Sequence, residues 1–176
     1  MKNKKNTLKK IVARTKYVKK VSPHKIIDNY SNRLATIRQI LGGVNVVPSG
    51  IRSEMDLIDL TRKGIHASAL TSVSEFLGMS KSEMSEKILH TNLRTIQRQS
   101  KQPVLDVYKS EQTIEVASII AKGLEFFRGD KQKLTRWLHQ PVLALNNKKP
   151  VELLDTTFGS QLVLRELERA QQGVYS

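Results

Sequence analysis

Arginine, threonine and glutamine gathered on one short helix can read the edges of base pairs, and the run Asn92-Leu93-Arg94-Thr95-Ile96-Gln97-Arg98-Gln99 gathers them. An arginine can donate two hydrogen bonds to guanine O6 and N7, and a glutamine can bond adenine in the same way, so these types suit the start of a readout helix. Either Thr91 or Asn92 can cap that helix. Helical spacing turns Leu93 and Ile96 inward and leaves Arg94, Thr95, Arg98 and Gln99 outward. Asn92, Arg94, Thr95, Gln97, Arg98 and Gln99 are therefore the candidate DNA contacts. Polar residues on an exposed helix are also ordinary, so periodicity alone leaves DNA readout and a plain solvated face both open.

Other chemistry finds no footing in the chain. With no cysteine, disulfides and thiolate chemistry are excluded. His24, His66, His90 and His139 lie far apart, with no second histidine or carboxylate at ligand spacing, so no metal site is expected. No nucleophile elbow, phosphate-cradling glycine loop or metalloprotease motif occurs. Neither a catalytic residue nor a cofactor is assigned, and an enzyme is not expected.

The placement of charge narrows the partners. The 176 residues carry a formal charge of +14, and residues 1–25 hold ten Lys/Arg and no acid. That head reads either as a solvated, disordered tail or as a basic arm that follows nucleic-acid phosphates. Residues 64–128 hold eight basic and seven acidic side chains, so the arm or dimerisation would have to supply much of any DNA affinity. Ile11 to Val21 is broken by Arg14, Lys16, Lys19 and Lys20, which is not a secretory signal, and no run approaches a membrane span. A cytoplasmic protein is expected.

The elements that must position the reader are helical throughout, and the all-α class follows from helix-period patterns with only five prolines. Ile27, Tyr30, Leu34, Ile37 and Leu41 form one seam that Gly42-Gly43 ends, and Val44 to Pro48 is an extended connector or a short strand. Ser53 caps Glu54 to Lys63, with Gly64 as the stop. Leu70, Val73, Phe76 and Leu77 make a stripe up to Gly78, and Ser80-Lys81-Ser82-Glu83 is a capping box with Met84 and Ile88 inward. Met79 to Ser100 thus has the outline of a helix-turn-helix, which Pro103 ends.

Ser110 is the predicted cap of an apolar helix, Glu111 to Phe127. Its two apolar faces predict burial on both sides and a contribution to a homodimer contact. Downstream, Asp130 caps a short helix carrying Leu134, Trp137 and Leu138 that stops before Pro141, and Pro150 opens another with Val151, Leu153 and Leu154. Thr156 or Thr157 caps the last helix, whose Phe158, Leu162, Val163, Leu167 and Ala170 share a stripe, and Gly173 closes it.

The ordered residues Gly129-Asp130, Trp137-Leu138, Pro141, Leu145, Pro150, Leu153-Leu154, Thr156, Gly159, Val163, Leu167, Gly173 and Val174-Tyr175 resemble the C-terminal toxin-binding domain of the Xre/ParS/MbcA antitoxins. Two positions depart from that pattern: Val142 stands where Asn is expected, and Asn147 where Gly is expected. Arg94-Thr95-Ile96-Gln97-Arg98 resembles the recognition helix of the same family. The resemblance implies an Xre-like helix-turn-helix domain followed by a small helical toxin-binding domain: a basic arm over 1–25, a DNA-binding and dimerisation domain over 26–128 with the helix-turn-helix about 79–100, and the toxin-binding domain over 129–176. It implies an antitoxin that covers the active-site mouth of a RES-domain toxin consuming NAD⁺ and represses its own operon as a homodimer on operator DNA. Leu164, Val174, Tyr175 and Ser176 are the candidate toxin contacts, with Trp137 expected in the core. An autonomous dimeric repressor without a toxin partner, or an adaptor that has lost DNA binding, would share the same outline.

Overall fold

Caps and stops written into the sequence punctuate the chain in the computed structural model, which describes residues 23–98 and 103–173. Most of the basic arm, Gln99, Ser100 and Val174-Tyr175-Ser176 lie outside the described residues. Helix α1, Pro23–Ile40, ends at Gly42 and Gly43, whose φ values of 110° and 66° only glycine adopts easily. Val44 to Pro48 is neither strand nor extended: Gly43–Asn45 makes a 3₁₀ turn. Arg38 holds the connector folded, its Nε and Nη2 donating to the carbonyls of Val47 and Pro48 at 2.8 and 2.9 Å.

Helix α2 is Glu54–Lys63, opened by Ser53 in a capping box with Asp56. Helices α3 (Ala69–Leu77), α4 (Lys81–Lys87) and α5 (Leu93–Gln97) follow. In the box that opens α4, the Glu83 N–H donates to the Ser80 hydroxyl at 3.1 Å and the Ser80 N–H donates to the Glu83 carboxylate at 3.0 Å. Each such cap contributes about 1 kcal/mol by satisfying donors the first turn leaves unpaired.

Helix α6, Val107–Phe126, is the axis of the molecule. It begins one turn earlier than the sequence suggests, because Asp106 and not Ser110 is its cap, accepting from the Lys109 N–H at 2.8 Å. Ser110 is wholly buried instead. Its hydroxyl stitches the preceding loop together, accepting from the Ile65 N–H and donating to the Leu105 carbonyl, both at 3.1 Å. Ile114, Val116, Ala117, Ile119, Ile120 and Ala121 are all buried, and α6 packs on α2 and α3 and on two helices of the terminal segment. Both apolar faces are thus covered within the chain, which leaves little of either for the dimer contact expected there.

Those terminal helices are α7, Lys131–Leu138, and α8, Thr157–Gln171. Asp130 caps α7 and Thr156 caps α8, accepting from Lys133 and Gly159 respectively. Between them, Leu143–Leu145 and Pro150–Leu153 are 3₁₀ turns, the second where a new α-helix was expected. Asn146 and Asn147 take φ values of 55° and 57°, so asparagine does serve the left-handed turn. Residues 31–176 form one unit, and among the described residues there are only two isolated β-bridges and no strand.

The last helix is rotated from its expected setting. Its inner face is Gly159, Ser160, Val163 and Leu167, while Phe158 is 83% and Leu162 44% exposed. Small residues decide this, because only a glycine lets the first turn sit against the Leu153 carbonyl, where a Cβ at position 159 would collide.

Two measurements test this packing. Gly159→Ala should cost about 1–3 kcal/mol in urea unfolding, since backbone and not a yielding side chain occupies the space. Glu83 is held down at about 2 by the Ser80 N–H, then by the Lys87 ammonium and the Ser80 hydroxyl. A carboxylate lowered in the folded state contributes stability that is full above its ordinary value of 4.5 and lost as pH falls toward 2. The melting temperature of Glu83→Gln should therefore fall less steeply than that of the parent across that window.

Candidate functional site

Two surfaces carry the candidate residues. On the first, α4 is held by its capping box, and Met84, Ile88 and Leu89 are buried beneath it. The turn into α5 passes through His90, at φ 48°, and is pinned where the Thr91 N–H donates to the Ser85 carbonyl at 2.9 Å. Asn92 opens α5 by accepting from the Arg94 N–H at 2.8 Å. Ile96 anchors the helix from below at 2% exposure, with Leu93 half-buried beside it.

Arg94, Thr95, Gln97 and Arg98 are all exposed on this five-residue helix. The side-chain oxygen of Asn92 is occupied as a cap, which leaves its amide N–H groups as the free donors. The geometry therefore offers two guanidinium forks and an amide on one rigid, well-anchored face. Exposed side chains of these types are the ones a major groove accepts.

The second surface is apolar and belongs to the terminal segment. Leu143 is 80% exposed in a 3₁₀ turn that packs on α8, and Phe158 and Leu162 lie one turn apart on α8 itself. These are exposed large apolar side chains of the terminal segment, of the kind that interaction surfaces carry. Of the contacts expected from sequence, Leu164 is half-buried, and Val174, Tyr175 and Ser176 fall outside the described residues. Sequence reading placed Phe158 and Leu162 inward and did not single out Leu143. The adjacent small pair Gly159-Ser160 is the signal that could have turned the helix the other way. Trp137 is half-buried against Phe127, ring centres 6.3 Å apart.

Helices α3 and α6 are bonded to the terminal segment. The Thr135 hydroxyl donates to the Phe76 carbonyl at 3.3 Å, and His139 Nε2 lies 2.8 Å from the Leu77 carbonyl. Gly78, which closes α3, admits Thr135 so closely that a Cβ there would meet its methyl at 2.6 Å. Gln112 of α6 donates to the Leu154 carbonyl at 2.6 Å. Among the described residues no group of three or more His, Asp or Glu is placed to hold a metal, and no helix is long and apolar enough to cross a membrane.

Comparison with known proteins meets these two surfaces in the same order. Residues 56–118 match the antitoxin Xre-like helix-turn-helix domain, and residues 123–173 match the antitoxin Xre/MbcA/ParS C-terminal toxin-binding domain. The chain is similar to an Antitoxin Xre of Yersinia enterocolitica, 22% identical over 120 residues, which is 68% of this chain and 81% of the relative. It is also similar to a Prs ADP-ribosylating antitoxin of a Sphingobium species, 28% identical over 136 residues, 70% of this chain and 83% of the relative. An Antitoxin Xre of Photorhabdus laumondii is 26% identical over 68 residues, 39% of this chain and 46% of the relative. The reader helix lies within the first matched domain and the exposed apolar side chains within the second, and the chain belongs to the Xre/MbcA/ParS family of antitoxins.

Proposed function

We propose that the protein neutralises a RES-domain toxin by covering the mouth of its NAD-consuming active site, and represses its own operon through the helix-turn-helix. The observation that carries this reading is the exposure of Leu143, Phe158 and Leu162 within the residues that match a toxin-binding domain. Apolar side chains left in water on a folded surface are stabilised by burial against a partner, at about 25 cal/mol per Å² removed from solvent. The name of the Sphingobium relative couples an antitoxin to ADP-ribosylation, a transfer whose ADP-ribose comes from NAD⁺, and this supports an NAD-consuming target.

In this reading residues 129–176 form the toxin-binding domain and 26–128 the DNA-binding and dimerisation domain, with residues 1–25 as a basic arm on phosphates. Leu164 and Val174-Tyr175-Ser176 extend the toxin contact beyond those three side chains. The protein acts by binding, in the cytoplasm, and performs no catalysis. A two-fold operator calls for a homodimer, and with α6 enclosed the second copy meets a different surface. Met55 and Ile58, one turn apart on α2 and 61% and 41% exposed, offer apolar area for it.

The DNA half is tested by fluorescence anisotropy on a duplex taken from upstream of its own reading frame. Arg94→Ala with Arg98→Ala should weaken binding at least about tenfold, since each lost bidentate pair is worth roughly 1–3 kcal/mol. Unchanged affinity would refute the readout role. For the toxin half, the protein is co-expressed with the product of the neighbouring reading frame. Wild type should co-purify with it and protect growth, while Leu143→Asp with Phe158→Asp should lose both properties and keep its helical circular dichroism, because the replaced side chains are exposed. Full protection by that variant would remove the patch from the interface, and absence of any toxin beside the gene would favour an autonomous repressor.

A further inference from the structure

We propose that a groove beside the reader helix seats a phosphate of the bound DNA, through Lys81, His66 and Gln97, so that Gln97 positions the duplex and does not read its bases. The proposal rests on the reading above, that α5 meets operator DNA. The groove encloses about 300 Å³ and is lined by Ile96 and Gln97 of α5, by Lys81 of α4, and by His66, Ser68 and Pro103 from the loops on either side of the reader. Those loops are fastened to each other: the Ala67 N–H donates to the Pro103 carbonyl and the Leu105 N–H to the Ile65 carbonyl, both at 2.8 Å, around an antiparallel bridge between His66 and Val104.

The lining has hydrogens to give and no acid to receive them. His66 Nδ1 accepts from the Ser68 N–H at 3.2 Å, with the Ser68 hydroxyl 2.7 Å away, so the neutral imidazole carries its hydrogen on Nε2. Lys81 brings an ammonium and Gln97 a carboxamide, and no carboxylate lines the groove. Two larger clefts, of about 420 and 330 Å³, differ on this point. One sets Asp56 and Asp59 beside Lys63, and the other sets Glu83 and Glu152 beside Lys87 and Lys149, so their cations have anions within the chain. Donors and a cation without an acid suit an anion from outside.

Position selects that anion. A major groove is about 12 Å wide and a helix with its side chains about 10–12 Å across, so a helix seated in one has a phosphate strand along each flank. Arg94 and Arg98 lie one turn apart on α5, with Thr95 beside them. Gln97 lies about 60° round the axis from Arg94, away from Thr95 and toward Leu93, which places it on the flank where the groove opens. The polar face of α5 thus divides: Arg94, Thr95 and Arg98 meet base edges, while Gln97 joins Lys81 and His66 on a diester oxygen. Contacts of that second kind set the register of the protein on the duplex and carry no sequence information themselves.

Anisotropy titrations of the full chain test this on two duplexes, the one from upstream of its own reading frame and a scrambled one of equal length and composition, each over a series of salt concentrations. Lys81→Ala should weaken binding to both alike, about five- to tenfold near 0.1 M salt, and reduce the slope of log affinity against log salt by about 0.9, the share of one phosphate. Lys81→Arg keeps the charge and should restore both quantities. Gln97→Ala and His66→Ala each remove a neutral donor, and should weaken both duplexes by one common factor, about two- to tenfold, with the slope unchanged. Arg94→Ala is the contrast, because losing a base contact should lower the ratio of own to scrambled affinity. An unchanged slope in Lys81→Ala overturns the phosphate seat, and a ratio that falls in Gln97→Ala overturns the division of the helix by returning that residue to base readout. A ratio that Arg94→Ala leaves untouched overturns the reading role of α5 and the seat beside it, and only that variant reports this failure.

Discussion

A helix that is apolar on two faces has to be covered on both, and the covering of α6 sets the arrangement of the rest. Ile114, Val116, Ala117, Ile119, Ile120 and Ala121 point in several directions from one axis and all are buried, so segments distant in sequence converge on the same rod. From one side come α2 and α3, which lead into the reader, and from the other α7 and α8. Gly123 marks how tight the fit is: its missing side chain makes room for Leu134 of α7. Reader and terminal segment therefore share a core, and neither can shift its packing on α6 without the other meeting the change.

Much of this arrangement was legible because it is written in local chemistry. Ser53, Ser80 with Glu83, Asp130 and Thr156 each cap the helix that the sequence assigns to them, since a hydroxyl or carboxylate before an apolar-periodic run has few other uses. Gly42, Gly64 and Gly78 stop helices with positive φ, as their positions require. What was not legible depends on contacts far along the chain. Ser110 has the type of a cap, but its hydroxyl is engaged by Ile65 and Leu105, and Asp106 takes the role.

The terminal helix shows the same limit at the candidate site. Periodicity gives Phe158, Leu162 and Val163 a common stripe, yet which edge of a stripe faces inward depends on how near a neighbour can come. Gly159 and Ser160 let α8 approach the Leu153 carbonyl, and the larger residues are turned out. On the reader the sequence was sufficient for placement: Ile96 goes in, and Arg94, Thr95 and Arg98 go out, because a five-residue helix with one apolar anchor has a single way to lie down.

The projecting phenylalanine and leucines carry a solubility cost whenever nothing shields them. Free copies at rising concentration would adhere to one another or to other proteins, and quality-control proteases that survey greasy surface would meet them first. Copies seated on a partner escape both fates. A surface built this way ties the working dosage of the protein to the supply of whatever covers it, with no sensor beyond the side chains themselves.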